Sequence, residues 1–385
     1  MSQPMIPYAR QSVSDDDVAA VIEVLRSDWL TTGPKTEAFE TAFAESVGAR
    51  HAVAVSSGTA ALHTAMYAAG VGPGDEVIVP AITFVATANA AVYQGATPVF
   101  ADLQPDTLLV DPSSVKRKIT SRTKAIVGVD YAGQPCDYAA LGRIARRNRL
   151  TLIADACHAL GAGYNGMKVG GLADLTVFSF HPVKHITTGE GGMVTTADRG
   201  MAALMRRFRN HGVTTNHHER NRKDTWYYEM EDIGYNYRIT DFQCALGLSQ
   251  LARLPAQIAA RRAIAKRYDE AFAALPAVRP LAVSEQAAHA YHLYVVALQS
   301  GRWDGSRDRL FVHLRKRGIG VNVHYLPVYL HPYYRRRFGY GKGLCPAAEK
   351  AYEQILSLPM YPAMTGAEVE QVIEAVYEEV QRYAA

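Results

Sequence analysis

Lys184 stands in "SFHPVKHITTGEGG", Ser179 to Gly192, between two histidines and just ahead of threonines and glycines. An amine in such a place is either a solvated tether or, once burial strips its proton, a nucleophile toward a carbonyl. Asp155, in "LIADACHALG", closes a short apolar run. A carboxylate there must be paired, hydrogen-bonded or functional, because leaving it unpaired in a low dielectric is expensive. His158, further along the same stretch, can face the same pocket; a satisfied core histidine is the other reading. Ahead of both, "VSSGTAAL" turns from a strand-like run into a helix start. Its Ser56-Ser57-Gly58-Thr59 offers free N–H groups, close approach at the glycine and hydroxyls, a combination suited to a phosphate. An ordinary capped helix is the plainer alternative. In this order, a phosphate cradle, an acid at a strand end and a lysine are what a pyridoxal phosphate site needs: an anchor, a partner for the pyridine nitrogen and an amine for the aldehyde.

Such groups need a scaffold that delivers several strand ends to one edge, and the chain has the pattern for it. "SDDDVAAVIEVLRSD" opens with a capping residue and acids before helical apolar spacing. A second helix is expected between Gly33-Pro34 and Gly48. Then "AVAVS", "EVIVP", "PVFAD", "AIVGVD", "TLIAD", "LTVFSF" and "MVTT" alternate with helical stretches, which implies crossover connections in a mostly parallel sheet. Past residue 250 the rhythm changes to a long helix, strands at "HLYVVAL" and "GVNVHYL", and terminal helices. The expected organisation is a large α/β domain over 1–250 and a smaller α+β domain over 251–385. Residues 213–232 read as an irregular loop. "GVGPGDEVIVP" is no dinucleotide fingerprint, because it follows a helix and precedes a strand.

Composition narrows the class. Hydrophobic residues make up 48% and charged residues 20% of the 385, as in a globular protein. A net charge of +4, with basic clusters scattered, gives no stripe for nucleic acid. The most apolar window is broken by polar residues, Gly and Pro, which reads as core and not as a membrane span. Four dispersed cysteines with no C-x-x-C pair argue against zinc or a disulfide framework and fit a reducing, cytoplasmic location; no metal is expected. The N-terminus does not read as a signal peptide.

The chain resembles the DegT/DnrJ/EryC1/StrS sugar-nucleotide aminotransferases. The likeness runs through "DWLTTGP", "SSGTAALH", "TFVATANA", "DACHALGA", "FSFHPVK", "TTGEGG", "RNHGV", "GYNYRITDFQCALGLSQL", "GIGVNVHYLPVY" and "LSLPMYP". It implies a fold type I pyridoxal phosphate-dependent transferase, with a mostly parallel seven-stranded sheet and a smaller C-terminal domain. It also implies Lys184 as the lysine that holds the aldehyde, Asp155 beneath the pyridine nitrogen, Phe84 stacked on the ring and His158 near the phenolic oxygen. Gly58, Thr59 and Ser179 would contact the phosphate, joined by Asn236 from the second subunit of a homodimer with shared active sites. Thr31, Thr32 and Gly33, with Trp29, and His324 and Tyr325 match stretches that border the sugar. Within the family the chain looks most like the pseudaminic acid pathway enzymes, which implies L-glutamate as donor and the C4 ketone of a UDP-4-keto-6-deoxy-N-acetylhexosamine as acceptor. His185 stands where those relatives commonly have proline. Other readings are an aminotransferase for another nucleotide keto-sugar, such as UDP-4-keto-L-arabinose or a dTDP-keto-deoxysugar, or a pyridoxal phosphate-binding regulator without turnover. The related sugar dehydratases carry histidine in place of the lysine. His217, His218, Arg220 and Arg222 can meet a diphosphate, or form a solvated loop.

Overall fold

Local chemistry starts the first helices where the sequence places them. In a computed structural model that describes residues 5–215, 220, 224–299 and 306–382, Ser14 caps α1 (Asp15–Leu25). Its hydroxyl accepts from the Asp17 amide, and the Asp17 carboxylate accepts from the Ser14 amide at 2.8 Å. Helix α2 (Pro34–Val47) begins on a proline and stops at Gly48, whose φ of 70° few other residues adopt cheaply.

The chain then alternates. Strand β1 (His51–Val55) leads to α3 (Gly58–Ala68), β2 (Glu76–Pro80) to α4 (Val85–Tyr93), β3 (Thr97–Ala101) to α5 (Pro112–Lys118), and β4 (Thr123–Val129) to α6 (Tyr138–Asn148). After β5 (Thr151–Asp155) comes the hairpin β6 (Gly163–Tyr164) and β7 (Met167–Lys168), then β8 (Leu175–Ser179), β9 (Gly192–Thr196) and α7 (Arg199–Phe208). The seven-stranded sheet has the order β1-β9-β8-β5-β4-β2-β3. Strand β9 is antiparallel to both its neighbours, and β8, β5, β4, β2 and β3 pair in parallel. The carboxyl ends of β1, β5 and β8 therefore open on one edge, where ligands bind in open α/β sheets.

Beyond the sheet come α8 (Asp241–Ala252), α9 (Leu254–Phe272), β10 (Val278–Pro280), β11 (Ala287–Ala288), β12 (Tyr294–Leu298), α10 (Arg307–Lys316), α11 (Pro332–Phe338), α12 (Pro346–Gln354), β13 (Ile355–Leu358) and α13 (Gly366–Arg382). Strands β10, β12 and β13 form an antiparallel sheet, and β11 joins the β6-β7 hairpin. The strand expected at "GVNVHYL" is absent. Only single bridges form there, Ile6 with Ile319 and Asn322 with Ser357. The chain leaves β13 after Asn322, and the His324 carbonyl takes the hydroxyl of Tyr131, which follows β4.

Three apolar clusters hold these layers. One joins the sheet to its helices through Val53, Val79, Ile126, Ile153 and Val194. A second lies among α9, α10, α13 and the antiparallel sheet, and includes Ile6. The third stacks Phe39 and Phe43 of α2 against Phe178 and Phe180, with ring centroids 5.0 to 5.5 Å apart. Among the described residues, no helix is long and apolar enough to cross a membrane.

Candidate active site

The site begins where β1 hands over to α3. The Ser56 amide donates to the Tyr237 carbonyl at 2.8 Å, and the Ser57 hydroxyl caps the helix by accepting from the Ala60 amide at 3.0 Å. Gly58 and Thr59 follow in the first turn, where N–H groups have no partner inside the helix. A Cβ on Gly58 would lie 2.8 Å from the Ser179 Cβ and 3.0 Å from its Oγ. Only glycine lets the helix start close on the end of β8 in this way. One corner thus gathers two amides of a helix start and a serine hydroxyl, donors with a surplus of positive potential.

Asp155, 5% exposed, is the last residue of β5. Its Oδ2 accepts from the Thr87 hydroxyl at 2.7 Å and its Oδ1 from the Cys157 amide at 3.2 Å. The Thr83 hydroxyl stands 2.8 Å from that of Thr87, one helical turn away. Between them Phe84, the N-cap of α4, leaves 56% of its surface exposed and lies with its ring centroid 6.0 Å from that of Tyr325. Asp130 backs this arrangement, its amide donating to the Asp155 carbonyl at 3.0 Å. Its own carboxylate is wholly buried. Oδ1 accepts from the Cys136 amide at 2.9 Å and the Tyr138 hydroxyl at 2.6 Å, and Oδ2 has no partner. Burial pushes this carboxyl up to about 7, with the charge of Asp155 adding to the rise.

Lys184 sits in the turn between β8 and β9, its amide donating to the His181 carbonyl at 2.9 Å. Desolvation lowers its amine below the ordinary 10.5, and the nearby Cys157 and Asp155 oppose that only in part. The Nζ lies 3.5 Å from Nε2 of His292. Around the pair lie more imidazoles. His158 has its ring 4.3 Å from that of His292 and its Nε2 3.4 Å from the Tyr325 hydroxyl. The Nε2 of His185 is 3.1 Å from the Ala290 carbonyl. His324 holds its Nδ1 2.8 Å from the Ser357 hydroxyl. Burial, aided by the positive charge of Lys184, holds His158 and His292 well below the usual histidine range and His324 at about 4. Burial likewise depresses His185, with Arg261 adding to it. These rings are neutral near pH 7. Among the described residues, no group of three or more His, Cys, Asp or Glu could hold a metal ion.

Phe84, Asp155, His158, Lys184, His324 and Tyr325 are therefore linked by ring contacts, a hydrogen bond and mutual electrostatic influence, and Gly58 packs on Ser179 at the end of β8. Thr31 and Gly33, on either side of Thr32, are fastened to the start of α8. Thr31 bridges Thr240, and the Gly33 amide donates to the Asp241 carboxylate at 2.8 Å. Asn236 is exposed, bridges Asn210 and precedes the Tyr237 whose carbonyl holds Ser56. Within the loop 213–232, Val213 bridges Met230, and Arg220 donates to the Thr215 carbonyl at 2.8 Å; His217, His218 and Arg222 lie outside the described residues. The sequence reading missed His292, Asp130 and the pair Thr83 and Thr87. Asp130 closes the apolar run "AIVGVD" as Asp155 closes its own, and the threonines are two hydroxyls one turn apart across a helix start; His292 left no such trace.

Pyridoxal phosphate asks a protein for an anion cradle, a buried carboxylate, a flat apolar cover and an amine. The Gly58 corner, which a Cβ would fill, together with Asp155, Phe84 and Lys184, fits those four demands.

Comparison with known proteins gives the same picture. The model of the DegT/DnrJ/EryC1/StrS aminotransferase family matches residues 11–377. The chain is 42% identical over 380 residues to the spore coat polysaccharide biosynthesis protein SpsC of Bacillus subtilis, covering 98% of this chain and 97% of SpsC. The solved structure of PseC from Helicobacter pylori, an aminotransferase involved in the biosynthesis of pseudoaminic acid, matches with a TM-score of 0.92 at 34% identity, over 98% of this chain and 100% of that one. Spr1654 of Streptococcus pneumoniae in its PLP form matches with a TM-score of 0.92 at 33% identity, over 98% and 99% of the two chains.

Proposed function

The chain belongs to the DegT/DnrJ/EryC1/StrS aminotransferase family, and from that premise we propose that it moves the amino group of L-glutamate to the C4 ketone of a UDP-4-keto-6-deoxy-N-acetylhexosamine. It is a sugar aminotransferase that works with pyridoxal phosphate. When bound, that cofactor supplies an aldehyde to carry the amino group and a ring to accept the electron pair left by a broken C–H bond.

The chain's own residues supply the rest. Lys184, with its amine depressed by burial, would hold the aldehyde until glutamate displaces it; the freed Nζ would then take the α-proton of glutamate and hand it to the carbon that bore the aldehyde, and in the second half-reaction would carry a proton from that carbon to C4 of the sugar. Asp155, kept in place by Thr87 and the Cys157 amide, keeps the ring nitrogen protonated. Gly58, Thr59 and Ser179 would hold the phosphate, Phe84 would cover the ring, and neutral His158 would meet the phenolic oxygen. His324 and Tyr325 border the sugar, as do Thr31, Thr32 and Gly33.

Asn236 completes the phosphate site of a partner subunit in a homodimer with shared active sites. Exposed apolar side chains just before it in the sequence support this, Ile233 at 72% and Tyr235 at 41% in the single chain. Four free cysteines fit a cytoplasmic setting.

The observation that carries the reading is geometric: the buried Lys184 lies in the turn after β8, close enough to feel the charge of Asp155 at the end of β5, and the Gly58 helix start packs on Ser179 at the end of the same β8. For the sugar, the support is the full-length likeness to PseC. The higher identity to SpsC favours a second reading, another nucleotide keto-sugar bound for a surface polysaccharide. A panel of UDP- and dTDP-keto-sugars with glutamate decides between them, read as 2-oxoglutarate formed and as product stereochemistry at C4 by NMR. Turnover of a UDP-4-keto sugar is expected. Acceptance of only dTDP or 3-keto sugars would overturn the substrate, and no 2-oxoglutarate with any sugar would overturn the reaction.

A further inference from the structure

The amine of Lys184 has a polar neighbour on the far side of the sequence. His292 lies 108 positions along the chain, with its Nε2 3.5 Å from Nζ, and it is 3% exposed. Its backbone is pinned. The buried guanidinium of Arg261, from α9, donates to the carbonyls of Tyr291 at 3.1 Å, His292 at 3.3 Å and Met360 at 3.0 Å. Its ring is wedged between His158 and His185, at centroid distances of 4.3 and 5.6 Å. The neighbouring rings have turned a nitrogen elsewhere, His158 to Tyr325, His185 to the Ala290 carbonyl and His324 to Ser357. Nε2 of His292 is the ring nitrogen that faces the amine.

We propose that His292 is a positioning residue for amino transfer: its Nε2 accepts a hydrogen bond from Lys184 whenever the lysine is free of the cofactor, and so holds the amine in place between taking a proton and returning it. This rests on the reading of Lys184 as the cofactor lysine. Nδ1 of His292 is buried with no partner, so the ring's one hydrogen bond is the contact at Nε2; with the proton on Nδ1 the ring can accept from an ammonium and from a free amine alike, and the contact survives both states of the lysine. The surroundings keep His292 neutral. Lys184, His158, His185 and Arg261 face it, none of them an acid, while Asp155 and Cys157 lie on the side of the lysine. An unheld lysine would spread over many rotamers and lose its aim at the substrate carbon.

The test uses cofactor-free protein, labelled by an amine-specific acylating reagent across a pH series, with the extent at Lys184 read by peptide mass mapping. His292→Phe keeps a ring in the wedge but no acceptor, and His292→Gln keeps an acceptor. Losing a hydrogen bond to the ammonium form should move the labelling midpoint of the Phe variant down by about one pH unit, and the Gln variant should recover most of that shift. In the holoenzyme the Phe variant should slow proton transfer from glutamate about tenfold in single turnover, with glutamate affinity unchanged. A Phe midpoint equal to that of the parent, or Gln and Phe variants shifting alike, overturns the proposal.

Should the Phe variant fail to fold, 15N-histidine NMR of the parent against Lys184→Ala gives the same answer. The His292 Nε2 resonance should move when the amine is removed, and an unmoved resonance refutes the contact. Neither measurement needs a sugar to be aminated. The substrate reading can therefore fail while this inference stands, and borohydride mapping of the cofactor to Lys184 checks its premise separately.

Discussion

Replacing Asp130 with asparagine separates charge from shape at the residue behind Asp155. The parent carboxyl is wholly buried, with two donors on Oδ1 and none on Oδ2. Burial raises it from the ordinary 3.8 to about 7. The folded protein therefore binds this proton more tightly than the unfolded chain does. The stability it contributes is full below 3.8 and is lost as pH rises through about 7. At about 1.4 kcal/mol per pH unit, the stretch from pH 5 to the folded value costs the parent about 3 kcal/mol. Asparagine keeps the Oδ1 acceptor for the Cys136 amide and the Tyr138 hydroxyl and carries no charge. Its new NH₂ replaces an oxygen that has no hydrogen-bond partner, and the free energy of that exchange does not vary with pH. Urea denaturation of cofactor-free protein, followed by fluorescence and circular dichroism from pH 5 to pH 8, reads the difference. With a slope of about 4 kcal/mol per molar urea for a chain of this size, the variant's midpoint should gain roughly 0.7 M on the parent across that range. Parallel profiles would refute the reasoning, because they would mean that the native carboxyl is already ionised at the acid end.

Three further outcomes are expected. Gly58→Ala, with its Cβ 3.0 Å from the Ser179 hydroxyl oxygen, should weaken pyridoxal phosphate binding about 10- to 100-fold in an absorbance titration, in line with about 1–3 kcal/mol of crowding; unchanged affinity would show that the cradle has room to spare. Glu40→Gln removes the charge of the buried carboxylate that accepts from Arg206, Arg209 and the Ala54 amide, and leaves one oxygen where there were two. Breaking that cluster should cost about 3 kcal/mol and lower the melting temperature by several degrees in scanning fluorimetry, and an unmoved transition would mean that it adds nothing. Asp155→Ala should slow the half-reaction with glutamate at least about 100-fold in stopped-flow absorbance, whereas near-parent rates would remove Asp155 from its proposed role.

What could be read from the sequence was whatever a short stretch of chain settles for itself. The Ser14 and Ser57 caps, the Pro34 start and Gly48 stop of α2, and the apolar runs that became β1 to β5, β8 and β9 depend on backbone sterics and on neighbours within a helical turn or one strand. For the same reason Asp155 and Lys184 could be placed, one at the end of a strand and the other in the turn after one. The strand expected at "GVNVHYL" failed because its partners, Ile6 and β13, each give it only a single bridge, and the contacts of Asn322 and His324 with distant elements turn that segment away. Distance in sequence hid the rest of the site as well. Thr87 meets Asp155 across 68 positions and His292 meets Lys184 across 108. Such pairs follow no period of 2 or 3.6 and leave no local trace. Neutral imidazoles, a depressed amine and a raised carboxyl are products of burial, and burial exists only once the layers have closed over those groups.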